Sequence, residues 1–258
     1  MPTPAQKRAD FRRLHDRGFF VIPNAWDAGS ARRLAALGFK AIASTSAGAA
    51  WTAGKDDGEL GRDAVLDHLQ MLVAATDMPI NADFENGFAD RPEQVAANVG
   101  LAAATGIAAL SIEDWSGSLM YETALAADRI AAARTALDAV DPAIMLIGRT
   151  EYFRVPDMAP AASIARAVAY AEAGADCLFV PFLLDHGAVA ELVAAVAPKP
   201  VNVLVQDYHS IADYAALGVR RCSVGAALAS AAWAAFDAAA RSLKAADPNL
   251  PNAGLGHG

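Results

Sequence analysis

The chain has 258 residues, 55% of them hydrophobic, and a formal net charge of −8. That length and apolar content suit one large domain with a substantial core, and the acidic balance argues against nucleic acid or anionic lipid as a partner. No stretch approaches the ~20 apolar residues of a membrane span, and the segment from Lys7 to Arg17 is charged where a signal peptide is apolar, so the expected compartment is the cytoplasm.

A short helix is expected before Phe19, and from there β-rich runs alternate with alanine-rich segments of helical period. In chain order, strands are predicted over 19–23, 41–44, 79–83, 108–112, 144–148, 177–181, 201–205 and 221–224. The helices between and after them are predicted over 28–37, 62–75, 92–104, 126–140, 160–173, 188–197, 211–217 and 226–246. Strand and helix repeating in this rhythm, with short connections, describe a closed (β/α)₈ TIM barrel over 1–246 rather than an open sheet. Gly38, Gly106, Gly174 and Gly218 each follow a helical segment and precede a strand, where glycine closes a helix in the left-handed conformation. The tail 247–258, with two prolines and three glycines, is expected to be disordered. Cys177 and Cys222 lie in apolar runs and read as small core residues rather than nucleophiles or disulfide partners.

In parallel α/β barrels the chemistry sits where the strands end, at their carboxyl edge. Polar residues collect there: Asn24, Trp26 and Asp27; Ser44, Thr45 and Ser46; Asp57; Asp83 and Glu85; Glu113 and Asp114; Arg149 and Glu151; Asn202 and Gln206. Asp83 ends an apolar run and Glu85 stands one residue beyond, in a turn around Gly87; Glu113 and Asp114 end the next strand in the same way. Two strand ends presenting carboxylates, with no basic run between them, describe a cup of oxygen ligands for a hard divalent cation, Mg²⁺ by preference and Mn²⁺ as the alternative. Arg149 leaves a buried strand towards that cup, placed either to pair with the acids or to grip an anionic substrate. Asp27 reads equally well as a helix cap, and His209 as part of a solvated helix start. The small, donor-rich run from Ser44 to Gly48 suits a carboxylate or a developing oxyanion.

Taken together, Asn24-Ala25-Trp26-Asp27, Ser44-Thr45-Ser46-Ala47-Gly48, Asp83-Phe84-Glu85-Asn86-Gly87-Phe88, Ile112-Glu113-Asp114, Gly148-Arg149-Thr150-Glu151, Gly174-Ala175-Asp176-Cys177-Leu178-Phe179-Val180-Pro181 and Pro200-Val201-Asn202-Val203-Leu204 resemble, in this order, the isocitrate lyase/phosphoenolpyruvate mutase superfamily. The resemblance runs from about Phe11 to Leu243 and is similar above all to its short, PEP-mutase-like branch. It implies a (β/α)₈ barrel that uses Mg²⁺ to make or break a C–C or P–C bond beside a 2-oxo acid, through an enolate-like species. It also implies Asp83 as the direct metal ligand, with Asp57, Glu85 and Glu113 holding the metal mostly through water. Thr45, Ser46 and Ala47 match the loop around the pyruvyl group, Arg149 the arginine of the family's Ala-Arg-Thr-Asp motif, and Asn202 an asparagine on the seventh strand; Trp26 joins this substrate-binding set.

The departures bear on the reaction. Lyases of the family carry Lys-Arg-Cys-Gly-His on a mobile loop after the fourth strand, the cysteine giving a proton to the enolate; here 114–122 has no cysteine, lysine, arginine or histidine. With Arg149 as the one arginine expected at the cup, a small carboxylate substrate is favoured over a tricarboxylate or phosphonate. Tyr121, or else Glu122, is expected to replace the missing proton donor, alongside Arg149 and Glu113 as catalytic residues. The leading expectation is a Mg²⁺-dependent C–C lyase acting on a 2-oxo acid or a substituted malate. Phosphoenolpyruvate mutase or phosphonopyruvate hydrolase-type chemistry is the alternative among enzymes, and a non-catalytic barrel that binds a small acid the alternative outside them. A homo-oligomer, dimer or tetramer, is expected, with the apolar face of 226–236 available to it.

Overall fold

A computed structural model describes residues 2–247; the expected tail lies outside the described residues from Pro248 onward. The chain enters the sheet through β1 (Phe20–Ile22) and β2 (Asn24–Ala25), one path interrupted at Pro23, whose nitrogen has no hydrogen to donate to a ladder. Then follow β3 (Ile42–Ser44), β4 (Ile80–Asp83), β5 (Ala109–Glu113), β6 (Met145–Arg149), β7 (Cys177–Phe179), β8 (Val201–Leu204) and β9 (Arg221–Ser223). Every neighbouring pair is parallel, and the order β1-β9-β8-β7-β6-β5-β4-β3-β2 returns the sheet to its start. The result is a nearly closed TIM-like barrel, and the predicted 19–23 strand is the seam, split in two by its own proline.

Around it lie α1 (Pro4–Asp16), α2 (Ala28–Ala36), α3 (Ser46–Thr52), α4 (Arg62–Ala75), α5 (Pro92–Ala104), α6 (Thr123–Val140), α7 (Pro160–Glu172), α8 (His186–Val196), α9 (Ile211–Ala216) and α10 (Ala227–Ala246). The glycines expected to close α2, α5, α7 and α9 do so with φ of +86°, +93°, +108° and +90°. Helix α3 is additional to the sequence expectation. Its residues are too small to show a periodicity, and the Thr45 hydroxyl starts it by accepting from Gly48 N at 3.4 Å.

Two apolar layers hold the barrel. Leu69, Leu72, Val95, Val99, Leu137 and Leu192 are buried between helices and sheet. Inside the barrel, Phe11 from α1 packs among Ile22, Met145 and Ile147. Helix α1 therefore closes the amino-terminal end, pinned by Arg8, which donates to Ala103 O at 3.0 Å and Ile107 O at 3.2 Å and pairs with Asp141. The rest of the lumen is lined by small residues, Ala41, Ala43, Ala108 and Ala109 among them, where barrels of this class normally carry branched ones. The barrel is plugged below and left partly hollow above. Both cysteines are free and buried, as expected. Among the described residues, no helix is long and apolar enough to cross a membrane.

Gly148 sets how close α7 lies to β6: a Cβ there would stand 2.9 Å from Tyr170 Cβ and 3.1 Å from Ala175 Cβ, atoms that cannot swing aside. Gly148→Ala is expected to lower stability by about 1–3 kcal/mol, read as a lower urea midpoint with an unchanged slope; an unaltered midpoint would show that the helix floats on the sheet.

Candidate functional site

The register of three neighbouring strands assembles the site. Glu113 pairs with Arg149 across β5 and β6, and Asp83 pairs with Ser111 across β4 and β5, so the acids and the arginine leave the same edge of the sheet together. Arg149 Nη1 lies 3.2 Å from Asp83 Oδ1, its Nε lies 3.2 Å from Glu113 Oε2, and Nε also donates to Glu151 Oε1. Asp83 is further fixed by Ser46 N, which donates to its Oδ2 at 3.1 Å, while its own N–H donates to Ser44 Oγ at 2.7 Å. Glu85 sits in the left-handed region at φ +47° in the turn closed by Gly87 N donating to Phe84 O. That turn leaves Glu85 Oε1 buried with no hydrogen-bond partner. The carboxylate cup of the sequence reading is present, but an arginine stands in its middle: among the described residues, no three acid, histidine or cysteine side chains already converge as a metal cluster. Closely spaced like charges need a counter-charge, and the guanidinium fork supplies it.

Two cavities meet at Ser46, Asp57, Arg149 and Arg154. One, of about 300 Å³, runs down into the barrel past Asn24, Thr45, Ala47 and Asn202 to Arg221; the other holds Glu85 and Glu113. The structure thus brings together Asp57, Asp83, Glu85, Glu113, Arg149, Thr45, Ser46, Ala47 and Asn202. Arg154 is additional to the residues expected from the sequence, since it lies beyond the strand end; a three-residue spacing ties it to Glu151, Arg154 Nε donating to Glu151 Oε2 at 3.0 Å across one turn. The expectation of one arginine at the cup is therefore corrected to two. Asp114 turns away from both cavities and accepts from Glu151 N, Arg166 and Tyr170, so it buttresses the strand ends.

Two expected site residues lie elsewhere. Trp26 lines neither of these cavities; its carbonyl accepts from the His68 ring at 2.9 Å and its side chain backs onto α3 at Gly48. Within a strand the residue two beyond Asn24 would share its face, but β2 ends at Ala25 and Trp26 has already left the sheet. Tyr121 is buried outside both cavities, its hydroxyl donating to Asp90, accepting from Asn86 at 3.3 Å, and its ring covered by Arg129 at 3.9 Å. The segment after β5 turns back on itself, with Trp115 and Met120 bridging and Ser116 N donating to Leu119 O at 2.8 Å, so that Trp115, Ser116 and Gly117 wall the second cavity while Tyr121 stays behind it. Glu122 is the exposed residue before α6. The expected replacement proton donor is thus not among the residues the fold assembles.

Known proteins resemble this chain in sequence and fold. The family model described as phosphoenolpyruvate phosphomutase matches residues 11–244. A 2-methylisocitrate lyase of Halalkalibacterium halodurans is 30% identical over 210 residues, covering 78% of this chain and 68% of that protein. A crystal structure of a candidate lyase/mutase from Burkholderia cenocepacia J2315 is 44% identical, with a TM-score of 0.90 over 96% of this chain and 90% of that one. A 2,3-dimethylmalate lyase, itself a PEP mutase/isocitrate lyase superfamily member, is 26% identical with a TM-score of 0.84 over 98% of this chain and 91% of its own.

The crowding of acids shows in their proton affinities. Burial, then the charges of Asp83 and Asp57, push Glu85 up to about 7. Burial pushes Glu113 up to about 8 against the pull of Arg149. Burial opposes the charge on Arg149 as well, but Glu113, Glu151 and Asp83 outweigh it and hold the guanidinium above its ordinary value. Both raised carboxyls bind protons more tightly in the folded chain, so between about pH 4.5 and about pH 8 stability falls as pH rises. In EDTA the thermal midpoint is expected to drop across that window. Glu85→Gln should flatten the drop by roughly 2–4 °C for each kcal/mol regained; an identical slope in the variant would mean that Glu85 is not a source of the strain.

Proposed function

The chain belongs to the phosphoenolpyruvate mutase/isocitrate lyase superfamily, its relatives include a 2-methylisocitrate lyase and a 2,3-dimethylmalate lyase, and from that premise we propose a Mg²⁺-dependent C–C lyase that acts on a 2-oxo acid or a substituted malate through an enolate-like intermediate. The observation that carries this reading is the surplus of carboxylate at the cavity mouth. Asp83, Glu85, Glu113 and Glu151 face Arg149 and Arg154, and Glu85 Oε1 has no partner. A buried, unsatisfied carboxylate oxygen in an all-oxygen donor set suits a hard dication. Asp83 would hold Mg²⁺ most directly, with Asp57, Glu85 and Glu113 further out. When bound, Mg²⁺ supplies positive charge where an oxygen gains negative charge during bond cleavage.

The chain's own residues do the rest. Arg149 and Arg154 offer guanidinium N–H groups to a substrate carboxylate at the mouth, and Arg149 is held in place by three acids rather than left to swing. Ser46 contributes by holding Asp83, and Thr45 by starting α3, so that this stretch shapes one wall of the cavity. Glu113 is the catalytic carboxyl able to keep and return a proton near neutral pH; Tyr121 is a positioning residue for the 85–90 turn. The second guanidinium, Arg154, favours a second reading, in which a more highly charged phosphonate is accepted and the chemistry is of the P–C type.

Assembly into a homo-oligomer is part of the proposal. Of α10, only Ala229 is buried, whereas Trp233, Phe236 and Leu243 are exposed along it, an apolar face of the kind that subunits cover. Trp233→Glu is expected to lower the mass measured by light scattering; an unchanged mass would remove α10 from the interface.

The function is tested by calorimetric titration with oxalate, a mimic of the pyruvate enolate. Binding should require Mg²⁺ and vanish in Asp83→Ala, and oxalate at about 100 times its dissociation constant should add about 2.7 kcal/mol of stability. No binding at millimolar oxalate would sink the enolate reading.

A further inference from the structure

Among the described residues, Arg221 is a buried cation that meets neither an acid nor a backbone carbonyl. It rises from the first residue of β9 into the lumen and is 2% exposed. Arg8, Arg149 and Arg166 each meet a carboxylate, and Arg129 and Lys7 are taken up by backbone carbonyls. Arg221 meets amides instead: Nε donates to Asn202 Oδ1 at 3.1 Å and Nη1 to Asn81 Oδ1 at 3.2 Å. Its other polar neighbour is His15 Nε2 at 3.4 Å. Burial and then Arg221 itself hold the His15 imidazole neutral, down at about 3, and its Nδ1 lies 2.8 Å from Phe11 O, which leaves Nε2 as a lone-pair acceptor. Among the described residues, no ion pair reaches Arg221, and no protein acceptor is found for Nη2.

The site is built rather than accidental. Asn202 is itself oriented by its Nδ2, which donates to Ser223 Oγ at 3.0 Å, so both amide oxygens face the guanidinium. Arg221, Asn202 and Ser223 all line the cavity that opens at Arg149 and Arg154. A buried, unpaired guanidinium is costly, and burial pulls Arg221 below the ordinary arginine value. An anion arriving from the cavity supplies the missing counter-charge.

We propose that Arg221, steered by Asn81 and Asn202, is a second carboxylate-binding subsite on the floor of the cavity, and that the substrate is a dicarboxylate of at least four carbons with one acid at the mouth and the other in the barrel. This rests on the lyase reading above and narrows its substrate class. The spacing agrees: Asn81 precedes Asp83 by two residues on β4, placing the floor roughly 7 Å below the metal-facing edge. Oxalate is too short to span that depth, whereas malate has the extra carbons to do so.

Two variants and two probes test it. Arg221→Met removes the charge; Asn81→Asp keeps it and supplies an internal carboxylate. With Mg²⁺, both variants should bind malate at least about ten-fold more weakly than the unmodified protein while holding oxalate within about two-fold. With EDTA and formate, the unmodified protein should gain thermal stability and the variants should not, and Asn81→Asp alone should start from a higher midpoint. Equal losses for malate and oxalate, or formate stabilising the variants as it does the parent, would overturn the subsite. Should Arg221→Met fail to fold, Asn81→Asp decides both arms. If oxalate fails to bind the parent, the lyase reading falls; the formate arm still judges the floor, because it needs neither metal nor enolate chemistry.

Discussion

The ends of β4, β5 and β6 are tied by one guanidinium. Arg149 reaches Asp83, Glu113 and Glu151, groups whose mutual repulsion would otherwise spread the strand ends apart. A lysine could not do this, since a point charge on a flexible stem cannot face three carboxylates from fixed directions as a planar fork does. The same contact leaves the acids in excess. Charge balance inside the cup is thus incomplete within the chain, and the proposed uptake of a dication with an acid substrate rests on that imbalance.

Behind this cluster stands a second, drier one. Asp114 is 2% exposed and bound by Arg166, Tyr170 and the Glu151 amide. It sets where Glu151 sits, and Glu151 in turn orients both Arg149 and Arg154. The segment following Asp114 is short and folded upon itself, and its Trp115, Ser116 and Gly117 form part of the wall of the upper cavity.

The lumen obeys the same logic of incomplete charge. Barrels of this class normally fill their interior with branched side chains, but here alanines and a layer of amides leave room, and α1 seals the bottom with Phe11. A cation in that hollow is tolerated because amide dipoles turn their oxygens towards it. Mouth and floor consequently carry opposite imbalances, surplus acid above and an unpaired guanidinium below, along one continuous path.

Much of this was legible in the chain itself. The alternation of strand and helix, the glycines closing helices and the polar residues gathered at strand ends depend on local pattern, and they led to the barrel and to Asp83, Glu85, Glu113 and Arg149. What local pattern could not convey was direction and partnership. Trp26 and Tyr121 sit in the right stretches but point away, because a residue or two beyond a strand end the side chain's facing is set by the turn and the packing behind it. Arg221 read as part of a strand, and only the closure of β9 against β1 and β8 puts it opposite Asn202 and within reach of Asn81 and His15. The sequence by itself determined which residues reach the barrel's upper edge; the tertiary structure decided which charges are paired, since that depends on register between strands far apart in the chain and on how much water the fold removes.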